Sequence, residues 1–203
     1  NTLYAVDSAG GGEGRIPTLA FAVLNTYFDL PPLTVPEVHD GHFSYAGRII
    51  PQYDRASMLV NYYGPDGTFP HIRFHDVVDD ETVETREEQE SGEEINTFSD
   101  PSFGYLHDST FMDKIVLVGV TVPEYKDLFP VAIARGERKR ENMMYGVEIH
   151  ANVIENILRG DFLRVESPAA GAATTLALVL ITFIVTSQLR EVKTRHHLII
   201  ALL

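Results

Sequence analysis

The chain has 203 residues, and 16 Lys and Arg stand against 29 Asp and Glu, for a formal net charge of -13. This acidic balance argues against binding of nucleic acid, which requires a face rich in Lys and Arg. It also argues against a domain that lies on an anionic membrane surface. The absence of cysteine excludes disulfides and thiolate chemistry. The length suits one domain with an accessory segment.

The first part of the chain predicts a buried helix and a β-hairpin. Apolar residues occupy most positions of a helix predicted over 18–28, so we expect it to be deeply buried. Two short strands are predicted at 42–45 and 48–51, joined by a tight turn. Residues 57–63 predict a stronger strand, and residues 74–78 can open a short helix.

A strongly acidic segment follows at 79–97, with almost no apolar side chains. Such a segment cannot bury enough surface to offset the entropy lost on ordering, so we expect a solvated, flexible insertion. Calcium binding is the alternative that the carboxylates suggest. We reject it, because the acids lack the alternating spacing and central glycine of a calcium-binding loop.

Residues 113–163 predict the unit on which the domain is built. Residues 115–118 are apolar on both faces, which is typical of an interior, parallel strand. In such sheets, ligands bind beyond the carboxyl ends of the strands. Here that region runs over 119–130, and a helix predicted over 147–159 closes the unit.

The helix over 147–159 is predicted to be amphipathic, and Gly160 stands where a helix-ending glycine belongs. At about 100° per residue, the apolar side chains share one face. His150 falls in the middle of that face. The polar side chains on the opposite face are Glu148, Asn152, Glu155, Asn156 and Arg159.

A membrane anchor is predicted after the domain, which we assign to 1–166. Residues 167–189 carry no charge, and as a helix they span roughly 34 Å, against about 30 Å of hydrocarbon. We expect a cytoplasmic loop at 190–196 and the start of a second transmembrane helix at 197–203. Positive charges in so short a loop predict that the domain lies on the outer side. A buried helix of a soluble protein is the alternative, but it would show a polar face.

Three stretches carry a resemblance to a known family: 113–121, 126–130 and 145–158. The last contains Gly-Val-Glu-Ile-His-Ala-Asn and is the most specific. Together with the upstream segments 16–22 and 60–77, they resemble the CHASE type 2 domain, a sensory extracellular domain associated with bacterial cyclases and histidine kinases. The long acidic segment departs from the shorter connection that is usual in this family.

The resemblance implies an α/β fold: a single extracytoplasmic domain with a mixed sheet flanked by helices, followed by transmembrane helices. It implies a location in the cell inner membrane, with the sensor domain periplasmic or extracellular. It also implies a cytoplasmic output module, such as an adenylate cyclase or a kinase. These residues contain no such module, so we expect no enzyme activity from them.

No motif in the chain indicates a catalytic centre, a phosphate-binding loop or a zinc protease site. His71 and His75 are four residues apart, as metal ligands can be. On a strand, however, they would share a face at too great a distance for one ion. We therefore predict no catalytic residue, no metal and no cofactor.

The candidate ligand-binding residues are Thr121, Asp127 and Asn152, in the loop after the central strand and on the polar edge of the following helix. Asp127 has an alternative role as the cap of the next turn. His150 is predicted to be a structural polar residue of the core, hydrogen-bonded to Asp127, Thr121 or a backbone carbonyl. Its alternative role is to report ligand or proton binding.

Two functions remain open. The first is a sensory domain that passes a ligand or environmental signal through transmembrane helices to the output module. The second is a structural or assembly module of a membrane-anchored envelope complex without a small ligand. A pocket with convergent polar groups favours the first, and a large apolar interface favours the second. The expected partners are the lipid bilayer, an unknown small ligand or partner protein, and a second copy in a homodimer.

Overall fold

A computed structural model describes residues 4–7, 14–93, 95–122, 127–133 and 142–201, with side chains described only between residues 14 and 190. It divides the chain into two compact units, Asn1–Leu163 and Arg164–Leu203. The first unit contains all the strands and four helices of the described residues, and the second contains one helix.

The strands of the first unit form three small antiparallel sheets, β1 with β2, β3–β4–β5 in that order, and β6 with β7. The strands are β1 (Tyr4–Asp7), β2 (Gly14–Pro17), β3 (Glu37–His39), β4 (His42–Tyr45), β5 (Arg48–Pro51), β6 (Leu128–Pro130) and β7 (Met143–Tyr145). The helices are α1 (Leu19–Tyr27), α2 (Phe74–Val78), α3 (Arg86–Ser91), α4 (Gly146–Arg159) and α5 (Pro168–Ala201). The predicted helices at 18–28, 74–78 and 147–159 and the predicted hairpin are thereby confirmed.

The hydrophobic core joins α1, the β4–β5 hairpin and α4. One face of α1 is buried, while Leu19 and Tyr27 at its ends are exposed, so the helix is less enclosed than predicted. The buried apolar side chains are Ala20, Phe21, Leu24, Phe43, Tyr45, Ile50, Met58, Val153, Ile154 and Ile157. This cluster places α4 against α1, and it fixes which face of α4 looks away from the core.

The predicted interior strand at 115–118 is wrong. Residues 114–122 are extended without a strand partner among the described residues, and Val116 and Val118 are 54% and 77% exposed. Ile115 and Leu117 alternate with them and pack on the core. The segment is therefore buried on one side only, although its sequence is apolar on both.

The predicted strand at 57–63 is also absent, apart from an isolated bridge between Asp54 and Ser57. The backbone N–H groups of Asn61 and Tyr63 donate to side chains of α4 instead of to a neighbouring strand. Since these donors are already used, the segment is not part of a mixed sheet. The fold is α/β, but with small antiparallel sheets in place of the predicted mixed one.

The acidic segment at 79–97 contains more local structure than a solvated insertion would have. Thr85 and Glu88 form a reciprocal capping box at the start of α3, and Gly92 ends this helix in the left-handed conformation. Glu88 is buried and also accepts the N–H of Ile95. Polar caps rather than apolar burial hold this part of the segment together.

The second unit contains the single helix α5. Its stretch Pro168–Arg190 has 23 residues and a mean hydropathy of 2.1, which is long and apolar enough to cross a membrane by length and composition. The helix continues through 190–196, where we predicted a loop, and on to Ala201. The start of a second transmembrane helix, predicted at 197–203, is thus part of the same helix as far as the structure describes it.

Gly160 ends α4 with a φ of +74°, and a Cβ placed there would meet no atom within 4 Å. Replacing Gly160 by Ala is therefore expected to lower the free energy of unfolding by about 1 to 2 kcal/mol through backbone strain alone. Gly160→Asn is the control, because asparagine tolerates this conformation and should cost less. Urea unfolding followed by near-UV circular dichroism of the tyrosines measures both. Equal stability of Gly160→Ala and the wild type would contradict the assignment.

Candidate functional site

The polar side of α4 is buried. Glu148, Asn152 and Asn156 are spaced four residues apart and so form one stripe along the helix, which we call the polar ladder. Glu148 is 2% exposed and the two asparagines are 0% exposed. We predicted these three side chains on the face opposite the apolar one, and the structure shows that this face also packs against protein.

The two asparagines of the polar ladder bind the extended segment at 57–63. The backbone N–H of Asn61 donates to Oδ1 of Asn156 at 2.8 Å, and Nδ2 of Asn156 donates to the carbonyl of Asn61 at 2.8 Å. The N–H of Tyr63 donates to Oδ1 of Asn152 at 3.0 Å. A side-chain amide has the same donor and acceptor as a peptide group, so these asparagines take the place of a neighbouring strand.

Glu148 continues the ladder with a carboxylate that accepts three backbone N–H groups. Oε2 accepts from Gly67 at 3.0 Å, while Oε1 accepts from Thr68 at 2.9 Å and from Phe69 at 3.3 Å. Burial, followed by the neighbouring Asp66, raises the pKa of Glu148, and the N–H groups of Gly67 and Phe69 oppose that rise. The loop at 67–69 is thus held to α4 by a single buried carboxylate.

The polar ladder was missed by sequence reasoning, although its spacing was visible. One side chain every four residues is the pattern of a buried stripe as much as of a solvated face. Glu155 and Arg159 lie on the same polar face of α4, but they pair with each other and are partly exposed. The difference lies in the long-range partners at 61–69, which no local pattern reveals.

The predicted loop site lies at the first turn of α4. The N–H of Gly146 donates to the carbonyl of Asp127 at 3.1 Å, and a Cβ on Gly146 would lie 2.6 Å from Oδ1 of Asp127. A Cβ on Gly119 would lie 2.5 Å from Cβ of Val147. Both glycines therefore allow the loop to approach the helix closely, and the carboxylate of Asp127 lies where a helix N-terminus favours negative charge.

Of the predicted ligand-binding residues, the structure brings Asp127 to this turn and leaves Thr121 exposed, two residues beyond Gly119. Asn152 lies elsewhere. Its side chain leaves α4 about 200° around from His150, which is the residue that Asp127 influences. Its amide is already bonded to Tyr63 and to the carbonyl of Glu148. Ligand binding by these three residues stays a prediction.

His150 is half-buried beside Asp127, on the side of α4 away from Asn152. Its Nδ1 is buried and has no hydrogen-bond partner among the residues that the structure describes. Burial lowers the pKa of His150, and the charge of Asp127 opposes this effect. The ring is therefore disposed to be neutral, with an acceptor or donor position at Nδ1 still to be satisfied.

A cleft of about 320 Å³ lies outside this site, in the acidic segment. Carboxylates dominate its lining, among them Asp80, Glu81, Glu84, Glu88 and Glu93. Across the described part of the chain, no cluster of His, Asp or Glu is arranged to hold a metal ion. The cleft therefore does not coincide with the predicted ligand site, nor does it form a metal centre.

Replacing Asn156 by Ala is expected to lower the free energy of unfolding by about 2 kcal/mol or more, because the N–H and carbonyl of Asn61 lose their partners in a buried environment. Glu155→Ala is the matched control on the same face of the helix, where the side chain is partly exposed and pairs with Arg159, and it should cost well under about 1 kcal/mol. Urea unfolding followed by tyrosine near-UV circular dichroism compares the two. Similar losses for both variants would contradict the role of the ladder.

Replacing His150 by Phe is expected to reduce the loss of stability in acid. Because the pKa of His150 is lowered in the folded chain, its stabilising contribution is fully present above the ordinary value of about 6.5 and is lost as pH falls below it. The measurement is the difference in unfolding free energy between wild type and His150→Phe at about pH 7.5 and about pH 5.5. Other titrating groups contribute to both proteins and cancel in this difference. A difference that does not change with pH would overturn the assignment.

Comparison with known proteins gives one match. A family model described as the CHASE2 domain covers residues 2–187, which is most of the chain. No curated protein and no solved structure was found to match. The matched range contains the core, the polar ladder and the loop around Asp127. The chain belongs to the CHASE2 domain family, whose members are sensory extracellular domains of receptors.

Proposed function

We propose that this chain is the extracytoplasmic sensory part of a receptor in the cell inner membrane. It passes a ligand or environmental signal through transmembrane helices to a cytoplasmic output module of the cyclase or kinase type. The observation that carries the proposal is the order of parts in one chain. The range that matches a sensory family, residues 2–187, includes the first unit and then most of Pro168–Arg190, the apolar stretch of α5.

The surface of α5 supports a membrane location. Its large apolar side chains from Leu176 to Leu189 are all at least half exposed, so they surround the helix rather than line one face. Such a surface is unfavourable in water at about 25 cal/mol per Å² and is stable in hydrocarbon. The threonines of the stretch bond backward to carbonyls of the same helix, as Thr175 does to Gly171 and Thr182 to Leu178. Their hydroxyl groups therefore need no water.

The loop at the first turn of α4 is the place where a ligand would act. Thr121 is exposed two residues beyond Gly119, Asp127 offers a carboxylate at the turn, and His150 has a buried nitrogen without a partner among the described residues. A ligand that binds this turn more tightly in one conformation shifts the domain toward that conformation. Asn152 would respond indirectly, through the hydrogen bond that ties it to Tyr63. A homodimer would let two such domains change together.

A second candidate function, an assembly module without a small ligand, is favoured by the exposed edge at 114–122. Val116, Val118, Val120 and Val122 form an exposed apolar row on a segment without a strand partner among the described residues. An exposed apolar row of this kind is typical of a surface that contacts another protein. In this case the row would contact a further component of an envelope complex.

The absence of cysteine makes the orientation directly measurable. Glu37→Cys, in exposed β3, should react with a membrane-impermeant maleimide in intact spheroplasts, and Thr194→Cys should react only after lysis. The cysteine-free parent is the control for background labelling. Labelling of both positions only after lysis would contradict an extracytoplasmic domain.

A further inference from the structure

A second carboxyl group, that of Asp66, lies beside Glu148 at the end of the polar ladder. Asp66 immediately precedes the loop at 67–69, whose three N–H groups bind Glu148. Oδ1 of Asp66 is buried and has no hydrogen-bond partner among the described residues. The Glu148 side chain is 1% exposed. Asp66 as a whole is half-buried, and its carboxyl group acts on that of Glu148 at close range, so the two groups are neighbours at the edge of a buried site.

Two ionised carboxylates in this arrangement repel each other and cannot form a hydrogen bond, since both are acceptors only. One proton changes both conditions. It lowers the charge of the pair from two negative charges to one, and it supplies the donor that Oδ1 of Asp66 lacks. The three N–H bonds to Glu148 can persist, because each carboxyl oxygen has two lone pairs.

We propose that Glu148 takes up one proton from the solvent and donates it in a hydrogen bond to Oδ1 of Asp66, and that this bond latches the loop at 66–69 onto α4. The loop is held when the pair carries a single negative charge. It loosens when that proton is lost, because two negative charges then repel each other across the contact. This latch is a property of the first unit itself; that it would make the receptor responsive to extracytoplasmic pH rests on the proposed function.

The titratable groups that face the pair set the direction of the effect. Burial and Asp66 raise the pKa of Glu148 above its ordinary value. His71 is the other such group among the described residues, with Nε2 at 4.0 Å from Oε2 of Glu148 and its side chain half exposed. A positive charge on His71 would favour the ionised carboxylate and so oppose the latch. His71 therefore requires its own variant.

The sign of the pH dependence follows from the raised pKa. A carboxyl group that binds its proton more tightly in the folded chain stabilises the fold, and this contribution is fully present at pH values below its pKa in the unfolded chain. The contribution is lost as pH rises through its pKa in the folded chain. The latch therefore closes in acid and opens toward alkaline pH, which is opposite to the behaviour expected of most paired carboxylates and of His150.

Amide hydrogen exchange on the full chain in a non-ionic detergent tests the latch without any substitution. After correction for the intrinsic effect of pH, protection of the amides of residues 67–69 is expected to fall by about tenfold or more between about pH 5 and about pH 8. The amides of α4 that lie away from this loop are the internal reference. Protection that does not change with pH would overturn the proposal.

Asp66→Asn supplies a permanent N–H donor without a charge. It is expected to raise the melting temperature at about pH 8 by about 2 °C or more, and to leave it nearly unchanged at about pH 5. Near-UV circular dichroism is a suitable readout, because all nine tyrosines precede α4 and so report on the first unit. Asp40→Asn is the matched control, since it removes the same charge from an exposed turn.

Two results with these variants would contradict the latch. One is the same change in melting temperature for Asp66→Asn and Asp40→Asn at both pH values, which would indicate a general effect of net charge. The other is loss of the pH response in His71→Gln, which would assign the titration to the histidine. Neither result depends on the orientation of the chain in a membrane, so failure of the latch and failure of the proposed function remain distinguishable.

Discussion

The fold depends on the way in which one helix buries both of its faces. The apolar face of α4 packs in the core through Val153, Ile154 and Ile157, which is the ordinary use of an amphipathic helix. Its polar ladder is buried as well, and that is tolerable only because each buried polar group has a partner. The partners are backbone groups at 61–69. This requirement fixes the path of a long extended segment that belongs to no sheet.

The same arrangement separates the structural part of α4 from its accessible part. The asparagines are committed to the backbone. The first turn meets a loop through Asp127, and Nδ1 of His150 has no partner in the part of the chain that the structure describes. Glu148, which binds the loop at 67–69, lies in this first turn as well, so both loops contact the same turn of the helix.

Local patterns were sufficient for part of this structure. The α4 helix ends at Gly160, and the hairpin pairs Tyr45 with Arg48, as the turn and helix-end residues predict. The interior strand predicted at 115–118 was wrong, because an apolar run does not show whether neighbours cover both of its sides. In the structure Val118 is exposed. Ligand binding by Asn152 stays a prediction. Its hydrogen bond to Tyr63, 89 residues earlier, is a long-range contact that no local spacing reveals.

Amide hydrogen exchange of Asn61 and Tyr63 in the full chain tests the central claim most directly. If the polar ladder replaces a neighbouring strand, these two amides should be protected about as strongly as the buried part of α4, although neither lies in a strand. The amides of Val116 and Val118 provide the comparison on an exposed extended segment. Exchange of Asn61 and Tyr63 as fast as that of Val116 and Val118 would contradict the account.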